Sequence, residues 1–367
     1  MKKKITYAQV GDNYDTKDPV KKFAQVAARQ TAVNLKKAGF TEISDTRGES
    51  AFVWEQNKAL MASVVEGLGT KNLVADAMRK ITGKTYYDVI GYDTVATIIN
   101  DLITVGANPL VVHAYWAIED NSWLHDEERM KDFIAGWKRA CDLSGATWGG
   151  GETPTLKGVI QPDTVDLGGS AIGIVSSPDR LITDKNLKAG DRILLLKSSG
   201  INCNGLSLAR AVVKNLKKGY ATKMANGKIY GEAILTKTNI YAKLIKDLLD
   251  ANINIHYISN ITGHGLRKIM RARQNYTYLI EKLFDPQEVF NFIQKIAKIN
   301  DYEMYQTFNM GQDYAFFLPS KDVSRAQKII AKNNFEGINA GYVDKGPRQV
   351  IIKPKKITFK SQTLDLR

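Results

Sequence analysis

The stretch E-G-L-G-T-K at residues 66–71, followed by Y-Y-D-V-I-G-Y-D at 86–93 and closing on N-D at 100–101, decides how the rest of the chain is read. Gly67 and Gly69 let backbone come close to a ligand, Lys71 supplies a fixed positive charge, and Glu66, Asp88, Asp93 and Asp101 crowd the same stretch. A glycine turn, an ammonium and several carboxylates are what a metal-bound nucleotide phosphate needs. Main-chain donors and the ammonium suit phosphate oxygens, and carboxylates suit a hard cation. Upstream, 51–54 and 59–65 read as two strands, so the turn lies at a strand end. Downstream, 72–81 and 93–105 read as helices, the second with Ala96, Ile99, Leu102 and Ile103 as its apolar stripe. Asp93 and Asp101, eight residues apart, then project on roughly one face, where both could look toward one cation.

Working outward, 1–18 is polar and reads as an arm or loop, and 19–37 as a helix ended by Gly39. Gly106 to Pro109 breaks the 93–105 helix, and 110–116 is a strong strand. The helix expected over 127–144 carries Phe133, Trp137 and Cys141 at four-residue spacing, which makes Cys141 core packing. T-W-G-G-G-E-T at 147–153 reads as a glycine turn close to a ligand, with the acid Glu152 directly after it; a tight structural turn is the alternative. A strand over 165–175 ends at S-S-P, 176–178, which divides the chain into domains of 1–178 and 179–367. In the second, a strand at 191–197 runs into S-S-G-I-N-C-N-G, 198–205, and a helix from Leu206, an arrangement suited to an anion. A helix over 230–249, a strand over 253–258 and a glycine-flanked loop, N-I-T-G-H-G at 260–265, follow. His264 is there either an exposed functional imidazole or a core histidine. Helices at 290–299 and 324–332 and a strand at 313–318 complete an α/β (α+β) alternation in two halves.

With 367 residues, two domains are the expectation. Lys and Arg number 52 against 38 Asp and Glu, a net charge of +14. No RNA-binding, helix-turn-helix or zinc-finger pattern accompanies that charge, so no nucleic-acid partner is expected. Cys141 and Cys203 form no disulfide framework, which favours a reducing, cytoplasmic setting. Lys2 to Lys4 lack the apolar run of a signal peptide, and no apolar segment approaches bilayer length, so no membrane partner is expected.

Seven segments in register carry a resemblance. They are E-G-L-G-T-K at 66–71, D-V-I-G-Y-D-T-V-A at 88–96, N-D-L-I-T-V-G-A-N-P-L at 100–110, G-G-G-E-T at 149–153, S-S-G-I-N-C-N-G-L-S-L at 198–208, I-T-G-H-G at 261–265 and E-M-Y-Q-T-F-N-M-G at 303–311. In that order the chain resembles the phosphoribosylformylglycinamidine cyclo-ligase (aminoimidazole ribonucleotide synthetase) family over about residues 64–318. The resemblance implies a homodimer whose N-terminal halves share a barrel, a C-terminal α/β half, and ATP in a cleft near the glycine turn. It implies ATP-dependent ring closure of formylglycinamidine ribonucleotide, with Mg²⁺, and leaves a monovalent cation as an open requirement. Carried onto this chain, it implies Lys71, Asp93 and His264 as catalytic groups and Glu66, Asp93 and Asp101 as metal ligands. Gly67, Gly69, Thr70, Lys71, Gly149, Gly150, Gly151 and Glu152 would contact ATP, and Ser199, Asn204, Thr262 and Asn309 the ribonucleotide. Three departures stand out. Glu66 replaces the usual Asp of D-G-V-G-T-K, Asn202 stands where S-S-G-P-H-S-N-G has histidine, and T-G-H-G replaces T-G-G-G. On this reading His264 supplies the lost imidazole. A sister kinase such as thiamine-monophosphate kinase and a catalytically silent nucleotide-binding protein are the competing readings.

Overall fold

The computed structural model describes residues 5–6, 8–10 and 14–364. The arm expected over 1–18 lies partly outside these residues, and from Tyr14 the chain is already helical, as α1, Tyr14–Gln30. A short helix, α2 (Ala32–Lys37), follows. Six strands form the first sheet: β1 (Thr41–Glu42), β2 (Phe52–Gln56), β3 (Ala59–Gly67), β4 (Asn108–Ile118), β5 (Thr147–Glu152) and β6 (Val165–Val175). Their order is β1-β2-β3-β6-β4-β5, antiparallel except for the β4–β5 pair.

Side chains alternate along β3. Leu60, Ala62 and Val64 are buried on one face, while Val65 on the other is 78% exposed. The buried face is covered by α4 (Tyr87–Leu102), which packs on β3 and β6 and is backed by α5 (Glu127–Ser144). Helix α3 (Asn72–Thr82) precedes α4. The two covering helices approach closely because each presents a glycine at the crossing. A Cβ on Gly91 would lie 2.3 Å from the Phe133 carbonyl oxygen, and one on Gly136 2.1 Å from that of Asp88. Trp116, Phe133 and Trp137 fill the space beside this crossing with edge-on ring contacts, centroids 4.7–6.1 Å apart. Cys141 sits in the same core, as its spacing suggests. Among the described residues the opposite face of the sheet is uncovered and presents Val65, Leu110, Tyr115 and Ile172 to solvent.

The second sheet has seven strands: β7 (Arg192–Lys197), β8 (Tyr257–Asn260), β9 (Tyr276–Ile280), β10 (Gln312–Leu318), β11 (Gly337–Lys345), β12 (Gln349–Ile352) and β13 (Ile357–Lys360). They run β13-β12-β9-β11-β7-β10-β8, with β12 and β9 the parallel pair. Both halves thus combine a mixed sheet with helices, the α/β (α+β) class expected. Helix α4 is the joint between them. Asn100 donates to the Asn239 carbonyl (2.7 Å), Asp101 accepts from Asn260 (2.7 Å), and the Tyr314 hydroxyl donates to the Asn100 carbonyl.

Three of the differences from the sequence reading bear on the site. Helix α4 begins at Tyr87 rather than 93, because the apolar Val89, Ile90 and Tyr92 are buried with it. The helix expected over 230–249 is two pieces, Tyr230–Ile234 and Ala242–Asp250, separated by a segment that enters the space between the halves. The glycine run at 149–151 is an edge strand, not a turn. A Cβ on Gly151 would meet the Ala114 carbonyl oxygen at 2.2 Å, while Gly150, at φ +102°, faces open space.

Candidate active site

Between the halves lies a polar cavity of about 60 Å³, room for a few waters, formed where β3, α4 and four segments of the second half converge. The first half contributes Glu66, Gly67, Thr97, Asn100 and Asp101. The second contributes Asn202, Cys203 and Asn204 from the loop after β7, Thr238 and Tyr241 from the helix break, Asn260 at the end of β8 and Thr262 just after it, and Asp313 and Tyr314 on β10. Glu66 and Gly67 also line a second concavity of about 570 Å³ on the open face of the first sheet, with His113, Tyr115 and the β6 segment 166–170. That volume is in the range of small-molecule pockets.

Glu66 falls on the helix-facing side of β3, beside Asp101 in the last turn of α4. Burial pushes the Glu66 carboxyl up to about 7, and the adjacent Asp101 carboxylate adds to this, while Lys268 opposes it. Lys268, buried at the far side, donates to the Thr262 hydroxyl. Burial lowers its ammonium to about 8 against the pull of Asp101. Two carboxylates side by side with an ammonium within reach suit a magnesium ion, which takes one or two carboxylates and leaves other positions to phosphate oxygens and water. Among the described residues no three His, Cys, Asp or Glu gather as a metal-ligand set.

Asp93 does not join this pair. Eight residues along a helix amount to about 12 Å of rise and some 80° of rotation, so Asp93 and Asp101 reach different places. Asp93 is fully buried in an ion pair with Lys71, itself fully buried. Lys71 also donates to the Thr236 carbonyl (2.8 Å), and Asp93 accepts from the Thr238 amide (2.8 Å). Cys203 lies 3.8 Å from the same carboxylate, its thiol held protonated, up to about 12, by burial and by the Asp93 charge. Lys71, expected to face phosphate, and Asp93, expected to face metal, are thus placed against each other. In this arrangement they neutralise each other and tie the first half to the helix break of the second.

His264 is also displaced from its expected role. It is buried against Asp18 of α1 (3.5 Å) rather than lining the cavity, and burial lowers it to about 4, so the ring is neutral. Ser199 donates to the Lys237 carbonyl (2.7 Å), and Asn309, buried, donates to the Gly200 carbonyl (2.9 Å). These two brace the 198–205 loop, while Asn204 and Thr262 reach the cavity itself. Gly69 packs beside that loop, and the buried Thr70 hydroxyl has no hydrogen-bond partner among the described residues. Gly149, Gly150, Gly151 and Glu152 lie outside the cavity; Glu152 pairs in register with Tyr115, which borders the larger concavity. Sequence reasoning missed Lys268, Asn260, Tyr241 and Asp313. A signal was present for two of them, since Asp313 opens the otherwise apolar D-Y-A-F-F-L and Lys268 stands in the buried L-R-K-I-M.

Two mixed sheets with a polar cleft at their junction define a class of fold shared with solved proteins of low sequence identity. The chain matches a hydrogenase-maturation protein in the HypE-HypF complex at TM-score 0.60 and 17% identity, covering 87% of this chain and 93% of that one. It matches thiamine-monophosphate kinase from Stenotrophomonas maltophilia at TM-score 0.59 and 14% identity, covering 83% and 88%. Within that class the chain belongs to the AIR synthase related family. Residues 48–175 match the family's N-terminal domain and 188–353 its C-terminal domain. A phosphoribosylformylglycinamidine cyclo-ligase of Methanocaldococcus jannaschii is 35% identical over 272 residues, 73% of this chain and 74% of the relative. The enzyme of the same name from Methanococcus maripaludis is 30% identical over 344 residues, 93% and 92% respectively.

Proposed function

We propose that this chain is an ATP-dependent cyclo-ligase that closes the imidazole ring of formylglycinamidine ribonucleotide, giving aminoimidazole ribonucleotide in purine biosynthesis in the cytoplasm. Its similarity to cyclo-ligases over most of the chain supports the reaction. The observation that carries the site is the meeting of Glu66 and Asp101 with Lys268 at the junction of the two halves. In the reaction the formamide oxygen attacks the γ-phosphate of ATP, and an amidine nitrogen then displaces phosphate from the activated carbon. The protein's task is alignment and charge neutralisation.

Glu66 and Asp101 would hold Mg²⁺, which neutralises phosphate oxygens when bound. Lys268 takes the cationic role expected of Lys71, Thr70 and the 67–69 backbone lie where ATP would pass, and Asn204 and Thr262 face the ribonucleotide. Residues 1–178 are proposed to carry nucleotide and dimer contacts, and 179–367 the ribonucleotide. The open face of the first sheet, with Val65, Leu110, Tyr115 and Ile172 exposed, favours a homodimer in which two such faces close into one barrel.

The test is direct. Purified protein given formylglycinamidine ribonucleotide and Mg·ATP should form aminoimidazole ribonucleotide and ADP in equal amounts. ADP formed only with another acceptor, such as thiamine monophosphate, would make it a sister kinase; nucleotide binding without turnover would make it a silent homologue.

A further inference from the structure

Asp313 is the second residue of β10, a strand otherwise apolar from Tyr314 to Leu318, and only 2% of it is exposed. It lines the cavity on the side of the second half. All of its hydrogen-bond partners are neutral donors. One carboxylate oxygen accepts from Asn202 (2.7 Å) and Asn309 (3.3 Å), the other from the Tyr241 hydroxyl (2.6 Å). Asn239 in turn donates to that hydroxyl (3.1 Å). No Lys or Arg pairs with Asp313 among the described residues: the nearby Lys197 ammonium is held by Glu336 (2.8 Å) and that of Lys237 by Asp88 (2.7 Å).

A buried carboxylate without a cation is costly, and three neutral donors replace only part of the solvation that burial removes. The arrangement makes physical sense if the missing cation arrives with the ligand. The substrate of the proposed reaction carries an amidine, a planar cation whose two N–H groups match a carboxylate as a guanidinium does. Asn202 adds a second observation. It stands where the resembling family carries a histidine, and its amide is directed onto Asp313 at φ +57°.

Resting on the functional reading above, we propose that Asp313 is the proton acceptor for ring closure, with Asn202, Asn309 and Tyr241 as its positioning residues. As the amidine nitrogen forms its bond to the phosphorylated carbon, the carbon–oxygen bond to phosphate breaks and phosphate leaves with the electron pair. The proton from that nitrogen passes to the Asp313 carboxylate and is released to water when product departs. Burial raises Asp313 to about 6, while the neutral donors around it, Tyr241, Asn202 and Asn239, act in the opposite direction. At neutral pH the group is therefore an ionised base close to the pH at which it works. Titratable groups on the elements around it are Tyr241, Tyr314 and Cys203, all pushed up by burial, with Glu66 and Asp101 across the cavity.

The experiment compares wild type with Asp313→Asn, which keeps the shape, removes the charge and turns one acceptor oxygen into a donor. Aminoimidazole ribonucleotide formation should fall by roughly 10²–10⁴-fold, while substrate-dependent ADP release in a single turnover persists. The acid limb near pH 6 in kcat/KM should disappear. Adding Asn202→His to Asp313→Asn should restore part of the rate, with a new limb near the ordinary imidazole value of about 6.5. A thermal melt matching wild type excludes simple misfolding. An Asp313→Asn enzyme with near-normal rate, or one that loses ADP release and product together with its acid limb unchanged, overturns the proposal. If wild type itself forms no aminoimidazole ribonucleotide, the functional reading fails and the proposal falls with it.

Discussion

Asp93→Asn sets the sequence reading against the structure. A magnesium ligand lost from an otherwise intact fold would reduce turnover and leave stability alone. The structure leads to a different result. Asp93 and Lys71 are both fully buried, and every strong polar partner of the pair is internal: the Thr236 carbonyl and the Thr238 amide come from the helix break of the second half. Neutralising the carboxylate leaves an ammonium in a dry site, a loss of about 3–5 kcal/mol when one member of a buried pair is removed. Against a total stability of roughly 5–15 kcal/mol that is about a fifth or more. Urea unfolding should show the midpoint lowered by at least about 1 M with an unchanged slope. The paired replacement Lys71→Met with Asp93→Leu should lose less than the two single changes added together, because no charge is then stranded. Wild-type stability in Asp93→Asn, with turnover lost and rescued by high magnesium, would refute this reasoning and return Asp93 to the metal.

Two further outcomes follow from single side chains. His264 is neutral in the fold, held down to about 4 by burial, whereas in the unfolded chain it titrates near 6.5. The unfolded state therefore binds more protons between those values, and stability present above pH 6.5 is lost as the pH falls through 4, by about 3 kcal/mol. His264→Gln should flatten that part of a urea-midpoint-against-pH curve; an unchanged curve would place the acid sensitivity elsewhere. Val65→Glu, on the open face of the first sheet, should shift the sedimentation coefficient from dimer to monomer while leaving the helical circular dichroism intact, and a variant that stays dimeric would remove that face from the interface.

The parts legible in the sequence are those with local causes. The alternation of A-L-M-A-S-V-V along β3 and the glycines after it place a turn at a strand end, and α5 follows from its four-residue apolar spacing and Gly145 at its end. What escaped has non-local causes. Gly149 and Gly151 are required by β4 beside them, not by a turn, because side chains there would collide with Val111 and the Ala114 carbonyl. The break at 235–241 exists because Thr236, Thr238 and Asn239 give their backbone groups to Lys71, Asp93 and Asn100, residues far away in the chain. Strand β12 pairs in parallel with β9 some seventy positions upstream, a register with no trace in the local pattern at 349–352. Asp93 and Asp101 were grouped because a helix returns near the same face after eight residues, but the rise along its axis separates them.

That separation explains how one helix carries two charged clusters with opposite properties. Near the middle of α4, Asp93 meets Lys71 with backbone partners on both sides, so its charge is balanced without any ligand. At its end, Asp101 meets Glu66, which burial has raised to about 7, and Lys268, which burial has lowered to about 8. Both shifts run against the charged forms, which is the mark of groups whose solvation was removed and not replaced. A cluster in that state gains more from an incoming cation and phosphate than a satisfied one does, since the ligand restores what burial removed. The inner pair is therefore suited to holding the halves together and the outer one to binding. The few residues between them on α4 keep an ammonium needed for the fold from competing for the phosphate.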